Sequence, residues 1–192
     1  MNDGFMNLVL RQYLKRIGVP SDQIDPLLNL FQNVRYKKDE YFAFKGQVSD
    51  KLGFVIQGLF VMTTDHEQGH EFVKDFLPEQ SFLLGTFEPH QKNEVYLRAT
   101  ENSVILEASY EAVGKIIKGN DDLSVLAEGG MQKRYLALCN RLEQMATCEA
   151  AERYQLFKQA YGSLEKRIPQ YLIASYLGIT PTQLSRIRKK AH

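Results

Sequence analysis

The sequence contains few of the features that would define a disulfide-rich, metal-binding or membrane protein. Its 192 residues include two cysteines, Cys139 and Cys148, and this pair fits neither a disulfide scaffold nor a four-ligand metal cluster. No apolar run approaches the roughly 20 residues needed to span a bilayer. The first ten residues also lack the basic and then apolar pattern of a signal peptide. We therefore expect a cytoplasmic protein with reduced thiols and no membrane partner.

The common motifs of catalysis are also missing from the sequence. There is no Gly-x-Ser-x-Gly elbow, no phosphate-binding loop ending in Gly-Lys-Ser/Thr and no dinucleotide fingerprint. Pairs such as Glu111 with Lys115 have the spacing of ion pairs on a helix surface. We therefore expect no catalytic residues and no enzymatic activity.

One segment, His66-Glu67-Gln68-Gly69-His70, matches the HExxH pattern of zinc proteases. That chemistry needs both histidines on one face of a helix, and the glutamate must activate a zinc-bound water. Here the flanking segments are extended and Gly69 interrupts the motif, so residues 65–69 are better explained as a hairpin turn. No convincing third ligand follows, and we expect no metal site.

Charge is distributed unevenly along the chain. The net charge is +1, yet residues 163–192 contain six lysines and arginines against a single acid, Glu165. The rest of the chain is therefore slightly acidic. A basic end on such a chain is typical of a protein that binds nucleic acid.

The basic end also carries the pattern of a helix-turn-helix. Gly178 lies where the turn requires positive φ, and Thr180-Pro181-Thr182-Gln183 has the form of a capping box that opens a second helix. The small Ala174 permits close approach of the two helices. Apolar residues recur at the inward positions, namely Ile173, Leu177, Ile179, Leu184 and Ile187. The alternative is a helical hairpin whose last helix is merely basic and solvated.

In a helix-turn-helix the second helix enters the major groove of DNA. Arg186 could then contact guanine and Gln183 adenine, while Arg188, Lys189 and Lys190 would hold phosphates. The predicted DNA-binding residues are Thr180, Thr182, Gln183, Ser185, Arg186, Arg188, Lys189 and Lys190.

The rest of the chain divides into helical and extended regions. A helix is predicted over Met6–Ile17, and Ser21 is predicted to cap a second helix that runs to about Gln32. From Val34 to about Ser109, short extended runs separated by glycines predict a compact antiparallel β domain. Further helices are expected from Ser109 to Ile117, and over residues 121–148 and 150–161.

The long predicted helix carries a heptad pattern. Its apolar residues recur at spacings of four and three, at Met131, Tyr135, Leu138, Leu142 and Met145. Such a seam packs either on the chain's own sheet or on a second copy of the helix. Gly129-Gly130 weakens the helix by about 1 kcal/mol per residue relative to alanine, which indicates either the close approach of a partner or a bend.

This order of elements resembles the Crp/Fnr family of bacterial transcription regulators. Lys45-Gly46-Gln47, residues 53–59 and 95–99, and above all the helix-turn-helix are similar to family features. The resemblance implies an α+β fold. It comprises an N-terminal double-stranded β-helix, or β-roll, of cyclic-nucleotide-binding type with flanking helices, then a long dimerisation helix and a C-terminal all-α helix-turn-helix. It also implies a sensor domain over residues 1–118, a dimerisation helix over 119–148 and a DNA-binding domain over 149–192. The implied partners are double-stranded DNA, a second copy of the chain and RNA polymerase.

The resemblance fails where family members hold cyclic nucleotides. Their cassette has a glutamate for the ribose and an arginine for the phosphate; here the first position is filled by leucine or deleted, and the second falls on Asn93. The candidate effector pocket comprises Phe82, Leu83, Leu84, Gly85, Thr86, Asn93, Glu94 and Val95. We expect no cAMP binding. No cysteine precedes Cys139, so no iron–sulfur cluster is expected either, and no other cofactor is evident.

A second departure concerns the wing, a β-hairpin that follows the recognition helix in family members. Five residues follow Ile187 in this sequence, so a helix-turn-helix without a full wing is expected. The favoured hypothesis is a homodimeric, sequence-specific transcription regulator. The alternative is a ligand-binding or protein-interaction module with a degenerate helix-turn-helix.

Overall fold

The computed structural model describes residues 3–65 and 71–190. It opens on two helices, α1 (Asp3–Arg16) and α2 (Ser21–Leu28). The end of α1 before Gly18 confirms the sequence prediction, and Gly18 turns the chain with φ +94°.

The prediction for α2 was wrong at both ends. Pro20, without a side-chain hydrogen bond, occupies the N-cap position predicted for Ser21. The helix stops at Leu28, and Gln32 begins a strand. Leu30 and Phe31 follow Leu27 at the spacing of a helix, but they pack on the core from the connecting turn. Their apolar character therefore reflects burial and not a helix.

Within the described ranges, eight strands follow and form two antiparallel four-stranded sheets. Their bounds are β1 Gln32–Tyr36, β2 Tyr41–Ala43, β3 Lys51–Gln57, β4 Phe60–Asp65, β5 Glu71–Leu77, β6 Phe82–Leu83, β7 Tyr96–Ala99 and β8 Ser103–Ser109. One sheet has the order β1-β8-β3-β6 and the other β2-β7-β4-β5. This arrangement confirms the predicted β-roll. The sequence His66-Glu67-Gln68-Gly69-His70 lies outside the described residues, as does the turn predicted there.

Strand β3 is buried on both faces, which explains its continuous apolar sequence. Phe54 packs in a cluster with Met6 and Leu10 of α1, whereas its neighbour Val55 packs between the sheets with Phe60. Because adjacent side chains of a strand point to opposite faces, β3 is shared by both cores of the domain.

Helices make up the remainder of the described chain. They are α3 Tyr110–Lys118, α4 Asp121–Thr147, α5 Ala150–Tyr161, α6 Gln170–Leu177 and α7 Pro181–Lys190, with a short 3-10 helix at Gly162–Leu164. Ser109 caps α3 by accepting a hydrogen bond of 3.2 Å from Ala112 N. No helix in the described ranges is long and apolar enough to cross a membrane.

The chain separates into two compact units. The first comprises the residues up to Thr64 together with Asp75–Gly130; the second comprises Asp65–Lys74 and the residues from Met131 onward. Helix α4 therefore contributes to both units, and Gly129-Gly130 falls at the boundary. The three-part division predicted from the sequence stays a prediction.

Gly58 should tolerate alanine far less well than Gly46, although both have positive φ. At Gly58, with φ +110°, an added Cβ would lie 2.1 Å from Ser103 Oγ and 2.8 Å from its Cα, so backbone would have to move. At Gly46, with φ +82°, nothing lies within 4 Å of that position. We expect Gly46→Ala to lower the free energy of unfolding by about 1 kcal/mol and Gly58→Ala by more than about 3 kcal/mol.

Urea unfolding monitored by circular dichroism measures both variants. Equal losses would mean that backbone strain alone, and not the contact with Ser103, determines the effect at Gly58.

Candidate nucleic-acid interface

The turn between α6 and α7 has the geometry that the sequence predicted. Gly178 has left-handed dihedrals, φ +66° and ψ 37°. The chain closes the end of α6 with bonds from Gly178 N to Ser175 O (3.1 Å) and from Ile179 N to Ala174 O (3.0 Å). A Cβ at Gly178 would lie 2.5 Å from Met145 Cε of α4. The positive φ therefore favours glycine here, whereas the methyl group of Met145 lies at the end of a flexible side chain that can move aside.

The predicted capping box at the start of α7 is confirmed. Gln183 N donates to Thr180 Oγ1 at 3.2 Å, and Thr180 N donates to Gln183 Oε1 at 2.9 Å. The two side chains thus satisfy two backbone donors that a helix start otherwise leaves unpaired. At the same place Gln170 Nε2 of α6 donates to Pro181 O at 3.0 Å, which holds the two helix starts together.

Helix α7 has a buried face and an exposed face. Leu184 is 0% exposed and packs inward, as predicted, and Ile187 is half-buried. Most of the predicted DNA-binding residues lie on the surface; Thr180, Thr182, Gln183, Arg186, Lys189 and Lys190 are exposed and Ser185 is half-buried. The exposed side is basic toward the end of the helix, where the last turn carries Arg188, Lys189 and Lys190.

Two of the residues predicted to contact DNA also have partners within the chain. A bidentate contact to adenine requires both the oxygen and the nitrogen of an amide, but Gln183 Oε1 is held by the capping box. Arg188 was predicted to hold a phosphate. It is half-buried, with its Nη2 2.8 Å from Glu165 Oε1 and its guanidinium over the ring of Tyr154.

Two arginines that the sequence analysis missed bond the carbonyl groups at the end of α6. Arg141 of α4 donates from Nη2 to Tyr176 O and to Val73 O, each at 2.8 Å, and from Nη1 to Lys74 O. Its guanidinium carbon lies 3.9 Å from the centroid of the Tyr176 ring. Arg153 of α5 donates from Nε to Leu177 O at 3.0 Å. The last carbonyls of α6 are therefore bound by cations, which the negative end of the helix dipole favours.

A serine joins the first residues of β5 to α6. Ser175 Oγ donates to Glu71 O at 2.9 Å and accepts from Val73 N at 3.0 Å. Together with the bonds from Arg141, this places three elements of the second unit in one hydrogen-bond network. No local motif marks Ser175 or Arg141, because their partners lie far away in the sequence.

The predicted dimerisation seam lies on the surface of the single chain. Leu138 is 52% and Leu142 62% exposed. Met131 and Tyr135 are exposed as well, and Met145 is half-buried against the turn at Gly178. The neighbouring Leu136 is also exposed, which adds to the apolar surface of α4.

The candidate effector residues pack on different faces of their segment. Phe82 packs with Tyr13 and Phe54 on the helical side of its sheet, whereas Leu83 faces the core between the sheets. Leu84 also packs toward the helices, while Thr86 and Val95 are buried and Glu94 is exposed.

Asn93 fills the position at which the family resemblance placed an arginine. It is 4% exposed, and its Nδ2 donates to Phe44 O at 3.1 Å. A Cβ added at Gly85 would lie 2.2 Å from Asn93 Oδ1. The asparagine side chain therefore packs directly on Gly85. No group of three or more metal-ligating side chains occurs in the part of the chain that the structure describes.

The capping box leads to a prediction for the stability of the second unit. Thr180→Ala removes the acceptor of Gln183 N and should lower the free energy of unfolding by about 1 kcal/mol. Thr182→Ala removes the same atoms from an exposed position inside the helix and should change it by less than about 0.5 kcal/mol. Urea unfolding of both variants makes the comparison, and equal losses would show that the cap contributes nothing.

Comparison with known proteins supports a regulator of transcription. Residues 33–120 match the family model of the cyclic nucleotide-binding domain. The chain is 23% identical over 143 residues to the cAMP-activated global transcriptional regulator CRP of Salmonella typhimurium, which covers 71% of this chain and 67% of that protein. It is 22% identical over 136 residues to the protein of the same name in Pasteurella multocida, over 68% of this chain and 65% of that protein.

Solved structures show the same fold. FixK2 from Bradyrhizobium japonicum superposes with a TM-score of 0.76 at 14% identity and covers 84% of both chains. The c-di-GMP responsive global regulator CLP of Xanthomonas campestris superposes with a TM-score of 0.71 at 20% identity, over 90% of this chain and 91% of that one. In its domain match, its related sequences and its fold, the chain is similar to transcription regulators of the Crp/Fnr type.

Proposed function

We propose that the protein is a homodimeric regulator that binds double-stranded DNA at a specific two-fold symmetric sequence. The exposed face of α7 carries this proposal. Its first turn is closed by a capping box, Leu184 anchors the helix inward, and Arg186 and Thr182 point to the surface. A short helix presented in this way is the element that a helix-turn-helix places in the major groove.

The exposed residues of α7 have separate roles in this proposal. Arg186 makes a bidentate contact to guanine, the commonest base-specific contact. Lys189 and Lys190 contact phosphates, which gives affinity without sequence information. Thr180, Thr182 and Ser185 lie toward the DNA as short polar side chains. Gln183 offers only its amide donors, and Arg188 is left out of the DNA contacts because it pairs with Glu165.

Self-association through α4 is the second part of the proposal. The exposed apolar seam of Met131, Tyr135, Leu138 and Leu142 would be buried against the same residues of a second copy. Two copies related by a two-fold axis would present their α7 helices to half-sites about 34 Å apart. We further propose a sensor over residues 1–118, a dimerisation helix over 119–148, a DNA-binding domain over 149–192, and RNA polymerase as a protein partner.

We also propose that cAMP is not the effector. The regulator CRP is described as cAMP-activated and CLP as c-di-GMP responsive, but neither property carries over residue by residue. A cyclic phosphate would meet the buried neutral side chain of Asn93, and Glu94 beside it adds a negative charge. An anion without a compensating cation at this place is unfavourable.

Selection from a random DNA pool at near-physiological salt tests the main proposal. We expect enrichment of a two-fold symmetric sequence, unchanged by added cAMP. Arg186→Ala should relax the preference at one base pair of each half-site and weaken operator binding by roughly tenfold, since a bidentate pair contributes about 1–3 kcal/mol of discrimination. A uniform loss on every sequence would show that Arg186 contacts only phosphate. No enrichment, with binding that vanishes as salt rises, would favour the module with a degenerate helix-turn-helix.

A double substitution tests the dimer. Leu138→Glu with Leu142→Glu should yield monomers in analytical ultracentrifugation and abolish operator binding, because four carboxylates would face one another across the seam. Lys133→Glu with Asn140→Glu adds as many carboxylates at exposed positions of α4 away from the seam, and should leave the dimer intact. The proposed interface is wrong if the seam variant remains a dimer.

A further inference from the structure

We propose that Glu165 is a positioning residue that fixes the orientation of α7 on the DNA, through a cluster with Tyr154 and Arg188. The inference rests on the proposed DNA-binding function and goes beyond it. Glu165 is the one acid among residues 163–192. An acid beside a DNA-binding surface repels the phosphate backbone, and its contacts indicate a structural role.

Both partners meet the same carboxylate oxygen. Tyr154 Oη of α5 donates to Glu165 Oε1 at 2.6 Å, and Arg188 Nη2 of α7 lies 2.8 Å from it. The guanidinium carbon of Arg188 lies 5.9 Å from the centroid of the Tyr154 ring. The cluster therefore joins α7 to α5 through a residue that lies just after the 3-10 helix.

The spacing along α7 explains why this contact matters for orientation. Leu184 is the buried anchor of the helix, and Arg188 follows it by four residues on the same face. The bond from Gln170 to Pro181 O and the buried Leu184 hold the first half of the helix, whereas an attachment at Arg188 fixes its second half and so restrains the direction of its axis. Contacts to base edges need placement within about 0.5 Å, so the second attachment bears on specific binding.

The surroundings of the cluster favour a fixed pair over a mobile surface bridge. The side chains of Arg188 and Glu165 are only 27% and 22% exposed. Arg188 Nε is buried with no hydrogen-bond partner in the described part of the chain. Burial and the hydrogen bond to Glu165 raise the pKa of Tyr154. The hydroxyl therefore stays protonated and donates a hydrogen bond to the carboxylate. Without Glu165, the guanidinium would lose its counter-ion in a partly desolvated place.

A positioning role and a purely electrostatic role predict opposite changes in operator affinity when Glu165 loses its charge. Glu165→Gln removes a negative charge near the DNA and frees Arg188 for phosphates, which strengthens binding to any sequence. The same change releases the axis of α7, which weakens binding to the specific sequence. The ratio of specific to non-specific affinity must therefore fall.

The test compares dissociation constants of Glu165→Gln for the selected operator and for a scrambled duplex, at one salt concentration. We expect operator binding to weaken about tenfold while scrambled binding is unchanged or up to about threefold stronger. Tyr154→Phe, which keeps the ion pair, should lower the ratio by a smaller factor. Glu152→Gln removes an equal charge from an exposed position of α5 and should leave the ratio unchanged.

Two results would overturn the proposal. Equal strengthening on both duplexes would make Glu165 a repelling charge only, and equal weakening on both would make it a general structural residue. Hydrogen–deuterium exchange of the free protein supplies an arm that does not depend on DNA. Glu165→Gln should speed exchange at the last amides of α7 and leave those of α6 unchanged.

If the wild-type protein shows no sequence preference, the proposed function fails, and the exchange experiment alone tests whether Glu165 holds α7. If the wild-type protein selects an operator but neither the ratio nor the exchange changes, the role of Glu165 fails.

Discussion

The helix-turn-helix depends on how the last carbonyl groups of α6 are satisfied. A helix end leaves four such groups without partners in the helix, and here the chain must also turn within a few residues. Gly178 and Ile179 bond two of these carbonyls from the turn itself, while Arg141 and Arg153 bond the carbonyls of Tyr176 and Leu177. Because Arg141 also bonds Val73 O, the same cation that completes α6 ties it to the first residues of β5, which belong to the second unit. The position of α7 follows from this arrangement.

The β domain has the fold of a nucleotide sensor with a different interior at the critical position. Where the family pattern calls for a cation, Asn93 is buried and bonded to the carbonyl of Phe44. Gly85 has no side chain, and the amide of Asn93 takes that space. A polar group satisfied inside the protein has no need of a ligand, which supports the proposal that cAMP is not the effector.

Two surfaces are exposed in the part of the chain that the structure describes, one of them apolar and the other basic. One is the seam of α4, where exposed leucines cost free energy in water unless covered. The other is the exposed face of α7 with Arg186, Lys189 and Lys190. We propose a second copy of the chain as the partner of the α4 seam and DNA as the partner of the α7 face. The two partners would act together because a dimer doubles the number of recognition helices.

The sequence alone determined those features that arise from contacts within a few residues. The capping box of Thr180 and Gln183, the glycine turn and the inward position of Leu184 follow from local rules, and each was predicted correctly. The bounds of α3, α4 and α5 were predicted to within one residue. The end of α2 was not, since Leu30 and Phe31 pack on a core that sequence spacing does not reveal. The tertiary structure decided which polar side chains are available. The fold places Glu165 and Tyr154 against Arg188, and it brings the carbonyls of Val73, Lys74 and Tyr176 to Arg141. Charged side chains choose partners by distance in space, so only the folded chain assigns them.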